Sequence, residues 1–317
     1  MDAYVVTGGA GFIGSHLVEA LVRRGDRVRV VDDLSSGSLA NLTGLGVGEP
    51  GGGAPVEFFR GSVADGGLLR AAMADARGVF HEAAQVSVPA SVRDPLHSYQ
   101  TNVMGTLNVL EAARAAGVTR VVFAASSAAY GDDPALPKVE DMAPRPLSPY
   151  ASGKLAGEAL LATWTRCFGF ATAALRYFNV YGPRQADNSP YSGVIALFAK
   201  AVLARRAPTI FGDGSQTRDF VFVTDVVAAN LLAMERVEAA QLYNVGTGAS
   251  VSVLELYETL ARLAAFDEPP LFAAPREGDV PHSRATIARA RRDLGFEPRV
   301  ELAEGLRRTL DWYRTRA

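Results

Sequence analysis

Tyr150-Ala-Ser-Gly-Lys154 sets a phenol and an ammonium one turn apart on the same face of a helix. A free phenol titrates near pH ~10 and is a poor base at neutrality. A fixed ammonium beside it favours the phenolate and lowers that value. Such a pair can take the proton of an alcohol while the alcohol carbon loses hydride. Tyrosine and lysine fall at this spacing on many surface helices, so the pair needs a second signal. It is supplied near the N-terminus by Thr7-Gly-Gly-Ala-Gly-Phe-Ile-Gly14, which holds both Gly9-x-Gly11-x-x-Gly14 and Gly8-x-x-Gly11-x-x-Gly14. Glycines between a strand and a helix allow a tight turn, and the backbone N–H groups at the helix start can approach a pyrophosphate.

Asp32 ends the second apolar run, roughly 20 residues beyond these glycines, where a carboxylate accepts from the adenosine ribose hydroxyls. It would repel a 2′-phosphate, so NAD is expected over NADP, and Asp33 adds a second negative charge. Val121–Ala125 runs into Ser126-Ser127-Ala128-Ala129-Tyr130. A hydroxyl at the carboxyl end of a central parallel strand faces the ligand crevice, which lets Ser126 hold the reacting oxygen alongside Tyr150.

Alternating elements are needed to carry these groups. Short apolar runs at Tyr4–Thr7, Val28–Val31, Val56–Phe59, Val79–His81, Val121–Ala125 and Ala171–Arg176 read as buried strands. Helical patterns separate them, including Gly11–Arg24 and a continuous helix over Ser98–Ala116 stopped by Gly117. The fold class expected is α/β: a doubly wound parallel Rossmann sheet with a smaller C-terminal substrate-binding lobe. The division falls near Phe178, giving 1–178 and 179–317, with later segments interleaving back. In the second part Gly193–Arg205 reads as a helix, Thr209–Phe211 as a strand, Asp225–Glu235 as a helix, and Ser283–Asp293 and Leu302–Tyr313 as closing helices. Gly44–Pro55, rich in Gly and Pro, is expected to be a mobile surface loop without function.

The bulk composition excludes several partners. The chain has 317 residues, 48% hydrophobic and 21% charged, with a formal net charge of −2 and no basic run. Neither nucleic acid nor an anionic membrane is an expected partner. No apolar run reaches membrane-spanning length. The single cysteine, Cys167, precludes an internal disulfide and suits a reducing cytoplasm. Its aromatic neighbours Trp164, Phe168 and Phe170 suggest a packed thiol. His16, His81, His97 and His282 are scattered, with no metal-ligand spacing, and read as structural.

Taken as a series, Gly8–Gly14, Asp32-Asp-Leu-Ser-Ser-Gly37, His81-Glu-Ala-Ala-Gln85, Ser126-Ser127, Tyr150-x-x-x-Lys154, Arg176-Tyr-Phe-Asn-Val-Tyr-Gly-Pro-Arg184 and Arg218-Asp-Phe-Val make the chain resemble an extended short-chain dehydrogenase/reductase of the UDP-glucose 4-epimerase kind. The similarity runs over nearly the whole chain. It implies that Tyr150 is the acid/base at the sugar 4-hydroxyl. Lys154 lowers its pKa and holds the nicotinamide ribose, and Ser126, with Ser127 beside it, shares the 4-oxygen. A 4-keto sugar turns over in the site and recovers hydride on its other face. The resemblance extends the cofactor set to Gly8, Gly11, Phe12, Ile13, Gly14, Asp32, Asp33, Ser36, Gly37, Ala83, Ala84, Gln85, Asn102 and Tyr177. Where many relatives present an acidic residue to the adenine amine, this chain has Gly61-Ser62-Val63, leaving Ser62 or the Val63 backbone for that contact.

For the nucleotide sugar the resemblance implies Asn179 at the diphosphate or the sugar, Arg218 and Arg276 at the diphosphate, Asp279 at the uridine ribose, and Thr209 and Phe211 at the uracil, with Ser87 and Val194 completing the set. Related 4,6-dehydratases carry an acidic pair where this chain has Ser127-Ala128, and related decarboxylases carry a Glu at Ala128. Neither residue here supplies a carboxyl, which leaves epimerisation. Ser283 stands where a bulky Tyr restricts relatives to UDP-glucose and UDP-galactose, so UDP-N-acetylglucosamine is expected to be accepted too. A glucuronate 4-epimerase, or another nucleotide-sugar oxidoreductase on the same scaffold, is the alternative. Ala186 offers no cation for that sugar, while Arg184 leaves the point open. Relatives of this kind pair as homodimers through two helices, here Ser98–Ala116 and Pro149–Phe168.

Overall fold

The valine-rich runs become the strands of one parallel sheet because each is buried on both faces, where β-branched side chains pack best. The computed structural model describes residues 2–186, 193–275 and 280–316. The chain runs β1 (Ala3–Thr7), α1 (Phe12–Arg23), β2 (Arg27–Asp32), β3 (Val47–Gly48), β4 (Val56–Arg60), α2 (Gly66–Met73), β5 (Gly78–His81), α3 (Val88–Arg93), α4 (Pro95–Tyr99), α5 (Gly105–Ala115), β6 (Arg120–Ser126), α6 (Pro149–Phe168) and β7 (Ala171–Tyr177). It continues through β8 (Asn179–Tyr181), α7 (Val194–Leu203), β9 (Thr209–Phe211), β10 (Thr217–Arg218), β11 (Phe220–Phe222), α8 (Val223–Arg236), β12 (Gln241–Val245), β13 (Val251–Ser252), α9 (Val253–Leu263), β14 (Leu271–Ala273), α10 (Ala288–Leu294) and α11 (Leu302–Arg314).

Eight strands form the main sheet in the order β12-β7-β6-β5-β1-β2-β4-β3, all parallel. The direction of winding reverses between β1 and β5, so a crevice opens outside the carboxyl ends of these strands. One apolar cluster, with Val6, Leu17, Val30, Leu175 and Val226, covers one face of the sheet; a second, with Val5, Leu69, Val109, Val121 and Leu161, covers the other. A third, built around Ile195, Phe198, Leu256, Leu260 and Leu306, forms the core of the later segments. The interleaving expected near Phe178 is present: β12 returns to pair with β7, and α8 packs on α1.

Four expectations are corrected. The helix read as Ser98–Ala116 begins earlier, at Pro95, and is interrupted by a π-helical turn over Gln100–Met104. The segment 283–287 is not helical; Ala285 bridges Lys138, and α10 starts only at Ala288. The Gly44–Pro55 stretch carries the edge strand β3 and is pinned by Gly51 N donating to the Glu57 carboxylate at 3.1 Å. Cys167 is exposed, because Trp164 and Phe170 turn inward on either side of it while Phe168 stays out.

Candidate active site

The glycine-rich turn is held open by its own backbone. Gly8 N donates to Val31 O at 2.8 Å and Gly11 N donates to Gly8 O at 3.0 Å. A Cβ on Gly14 would fall 2.2 Å from the Gly8 carbonyl oxygen, so only glycine allows α1 to start this close to β1. No side chain caps α1 and its first turn holds no acidic residue. Its free N–H groups, flanked by Phe12 and Ile13, suit a pyrophosphate.

Asp32 is 7% exposed at the end of β2. Its carboxylate accepts from Ala10 N at 2.9 Å and from Leu34 N at 2.8 Å, tying the glycine turn to the next loop. Burial raises its pKa, and those two backbone bonds oppose the rise. Asp33 and Ser36 are exposed, and Asp33 accepts from Ser35 N. Gly37 lies against Ala10 and the Asp32 carboxylate, with no room for a side chain. Past β4, Ser62 accepts from Ala64 N, while Val63 is buried and its carbonyl accepts from Asn108. These residues fit a dinucleotide: a glycine cradle for the phosphates and a carboxylate at the ribose position.

The π-turn explains Asn102. Its amide oxygen accepts from Gln85 N at 2.8 Å and its amide nitrogen donates to Gln85 O at 3.0 Å, clamping the Ala83-Ala84-Gln85 loop above β5. π-turns recur at functional sites. Thr106 donates to Asn102 O at 2.7 Å and contacts His81 Nε2 at 3.0 Å, while His81 Nδ1 meets Thr7 Oγ1 at 2.7 Å. Burial, with the Lys154 charge adding to it, lowers the His81 pKa to about 3, so this ring stays neutral and structural.

Ser148 caps α6 through Ala151 N at 3.2 Å, with Pro149 in the first turn, as an N-terminus requires. Ser91 accepts from Tyr150 N at 3.2 Å. A Cβ on Gly157 would strike the Phe123 ring at 2.5 Å, so this glycine brings α6 down onto β6. The Tyr150 hydroxyl consequently reaches the Ser126 hydroxyl at the end of β6. Lys154 is 3% exposed; its ammonium donates to Ala124 O at 2.7 Å and lies 4.9 Å over the Phe123 ring. Burial pulls its pKa down to about 8, with Glu82 and Glu158 opposing. Burial pushes the Tyr150 phenol up, and the Ser126 hydrogen bond counters that rise. The net direction for Tyr150 here is upward, with Ser126 as the group that opposes burial, while the Lys154 ammonium is directed at the Ala124 carbonyl. Ser127 follows in a single 3-10 turn.

Glu82 is the residue that spacing did not single out, although it stands inside the His81–Gln85 stretch. Its carboxylate accepts from the Tyr177 hydroxyl at 2.8 Å, and that hydroxyl accepts from Asn230 Nδ2 at 2.7 Å. Asp219, fully buried, was missed as well. It accepts from Thr247 N, Thr247 Oγ1, Gly248 N and Ala285 N at 2.7–3.1 Å, while its carbonyl takes Asn179 N at 3.0 Å. It therefore gathers β8, the loop after β12 and the segment bearing Ser283 and Ala285 into one unit. Arg176, from the same motif series, is a buried structural cation paired with Glu158 at 2.8 Å and stacked over Tyr130.

In the later segments, Arg218 donates to Thr217 O at 2.8 Å and to Pro281 O at 3.3 Å. Ser283 is half-buried, with its N–H on Thr217 O at 3.0 Å. A cavity of about 790 Å³ is lined by Phe211, Gln216, Phe272, Pro275, Pro281 and His282. Thr209 is exposed on the same strand as Phe211 and does not line it. Ser87 caps α3, and Val194 opens α7. Arg276 and Asp279 lie outside the described residues. Arg184 is accounted for by Glu19, whose carboxylate accepts from it at 2.6 Å.

A parallel, doubly wound sheet with this glycine turn and a Ser-Tyr-Lys set at its strand ends defines a nucleotide-dependent dehydrogenase-like fold. Residues 4–246 match the NAD dependent epimerase/dehydratase family, and the chain belongs to it. It is similar to the UDP-glucose 4-epimerase of Mycolicibacterium smegmatis, with 43% identity over 99% of both chains. Among solved structures it is similar to a UDP-N-acetylglucosamine 4-epimerase from Methanobrevibacter ruminantium in complex with UDP-N-acetylmuramic acid (TM-score 0.93, 36% identity, 100% of this chain and 99% of that one). It is also similar to UDP-glucose 4-epimerase from Thermotoga maritima with UDP-glucose (TM-score 0.92, 39% identity, 99% of each chain).

Proposed function

We propose that the protein is an NAD-dependent UDP-hexose 4-epimerase that interconverts UDP-glucose and UDP-galactose and also accepts UDP-N-acetylglucosamine. The observation that carries this reading is the meeting of the Tyr150 and Ser126 hydroxyls at the carboxyl end of β6, with Lys154 one helical turn away and no carboxyl at Ser127 or Ala128. NAD, held by the Gly8–Gly14 turn and Asp32, supplies reversible hydride chemistry at the sugar C4. Tyr150 takes the 4-hydroxyl proton and returns it when the carbinol reforms. Ser126 fixes the oxygen between the two hydroxyls, and the Lys154 charge steadies the phenolate once it forms. Asn179 and Arg218 hold the diphosphate, and Phe211 and Phe272 provide apolar walls for the base in the cavity beside them.

Ser283, fixed through Thr217, leaves room for a 2-acetamido group, and the relative named as a UDP-N-acetylglucosamine 4-epimerase supports the broader substrate range. The Arg184–Glu19 pair weighs against a glucuronate 4-epimerase, because the guanidinium open to that role is held on α1 by a carboxylate it shares with Arg23. We assign residues 1–178 to cofactor binding and 179–317 to nucleotide-sugar binding, with β12 returning to the first. Leu96, Tyr99, Met104 and Phe168 are exposed on or beside the two helical segments named for pairing and support a homodimer. No helix among the described residues is long and apolar enough to cross a membrane; the lone cysteine supports a cytoplasmic setting.

The test is incubation with UDP-glucose or UDP-N-acetylglucosamine and no added cofactor. The expected result is the 4-epimer, with no lasting absorbance at ~340 nm. Accumulated reduced cofactor or an oxidised sugar would instead identify a net oxidoreductase.

A further inference from the structure

Glu82 follows β5 directly and stands near the carboxyl ends of the central strands, one register step past the His81–Phe123 pair and two short of Ser126 on β6 and Tyr177 on β7. Among the described residues no salt bridge pairs it with a surface cation. Its carboxylate accepts from Tyr177, which Asn230 of α8 holds in place, and it faces the ammonium of Lys154 on α6. The groups around it are these: Tyr177 from β7, Lys154 from α6 and the neutral Asn230 from α8. On its own strand, His81 turns instead to Thr7 and Thr106. Hydride exchange at a carbinol held by Tyr150 requires the nicotinamide beside Tyr150, one helical turn from the Lys154 charge that Glu82 senses. The oxidised nicotinamide is a cation and the reduced ring is neutral. A half-buried carboxylate fixed by Tyr177 acts on that difference through a dielectric lower than water's.

We propose that Glu82 sets the redox balance of the bound cofactor: as a carboxylate held by Tyr177 and facing Lys154, it favours the oxidised nicotinamide. Glu82 makes and breaks no bond to carbon, and its only exchange is a proton with solvent. This rests on the hydride chemistry argued above. Burial pushes its pKa up to about 7, against the Tyr177 hydrogen bond and the Lys154 charge, so the effect switches on across neutral pH.

The experiment equilibrates the purified holoenzyme, without sugar, against a viologen couple under anaerobic conditions and reads the bound oxidised-to-reduced ratio by absorbance from pH 5.5 to 9. At pH 8, Glu82→Gln is expected to lower that ratio about tenfold relative to wild type at the same potential. At pH 5.5, where Glu82 is protonated, the two should coincide. Tyr177→Phe removes a bond that favours the carboxylate and should move the pH of divergence upward. Coincidence of Glu82→Gln with wild type at pH 8, or an offset constant across the range, overturns the proposal. Should Glu82→Gln not fold, a Tyr177→Phe profile superimposable on wild type overturns it. A clear redox offset in an enzyme that leaves UDP-sugars unchanged would sink the epimerase reading and leave this one standing.

Discussion

The Lys154 ammonium donates to the Ala124 carbonyl oxygen at 2.7 Å, binding the second turn of α6 to the strand that ends in Ser126. The helix register that carries Tyr150 is thereby locked to the strand that carries Ser126, and a third neighbour, Phe123, closes over the same charge. The bond positions the site, and its cost is a buried cation.

That cost is measurable. Burial holds the Lys154 pKa near 8, below its ordinary value, so between about pH 8 and 10.5 the unfolded chain binds a proton that the folded chain does not. Stability from this group therefore rises with pH through that window and is lowest below it. Lys154→Met, stripped of cofactor, should be more stable than wild type by about 1–3 kcal/mol at pH 7, the gap closing toward pH 10, as followed by urea denaturation. The same variant should have no measurable turnover.

Tyr150→Phe should retain bound NAD, measured by release on denaturation, and lose about 10²–10⁴-fold in turnover. Near-normal turnover would remove the acid/base assignment.

Ser283→Tyr should suppress reaction with UDP-N-acetylglucosamine at least ~10-fold while changing UDP-glucose turnover less than ~3-fold, since about 1–3 kcal/mol of steric discrimination is what a pocket wall of this kind provides. Equal loss on both sugars would show that Ser283 is not the gate.

Asp219→Ala leaves four donors without their acceptor, the Ala285 N–H in a buried place and those of Thr247 and Gly248 in partly buried ones. The expected loss is about 3–5 kcal/mol, read as a lowered urea midpoint. If the Thr247 and Ala285 segments re-pair with water at little cost, the midpoint will barely move.

Arg184 and Glu19 bridge the turn after β8 and α1 with both side chains less than a fifth exposed. Arg184→Ala should lower stability by about 1–2 kcal/mol and leave the ratio of UDP-glucose to UDP-glucuronate turnover unchanged within ~2-fold. A selective loss of glucuronate turnover would reinstate the alternative substrate.

Much of this protein could be read without coordinates because the signals are local. Glycine spacing before α1, the apolar runs of β1, β2, β5, β6 and β7, and the Tyr150–Lys154 interval each follow from backbone sterics and side-chain period within one element. The π-turn that presents Asn102 was not legible, since a helical pattern tolerates one inserted residue without changing its apolar face visibly. The non-helical 283–287 segment was misread for a similar reason: its pairing with Lys138 lies outside any local window.

The sequence by itself determined the parallel sheet, the dinucleotide turn and the Tyr150–Lys154 spacing, since steric and hydrophobic rules act between near neighbours. Only the tertiary structure decided where charges settle. Glu82 meets Tyr177 from 95 positions away, Arg184 meets Glu19 from 165 away, and Lys154 turns its ammonium to Ala124. Burial and partner identity set the behaviour of those groups, and both are properties of the packed chain.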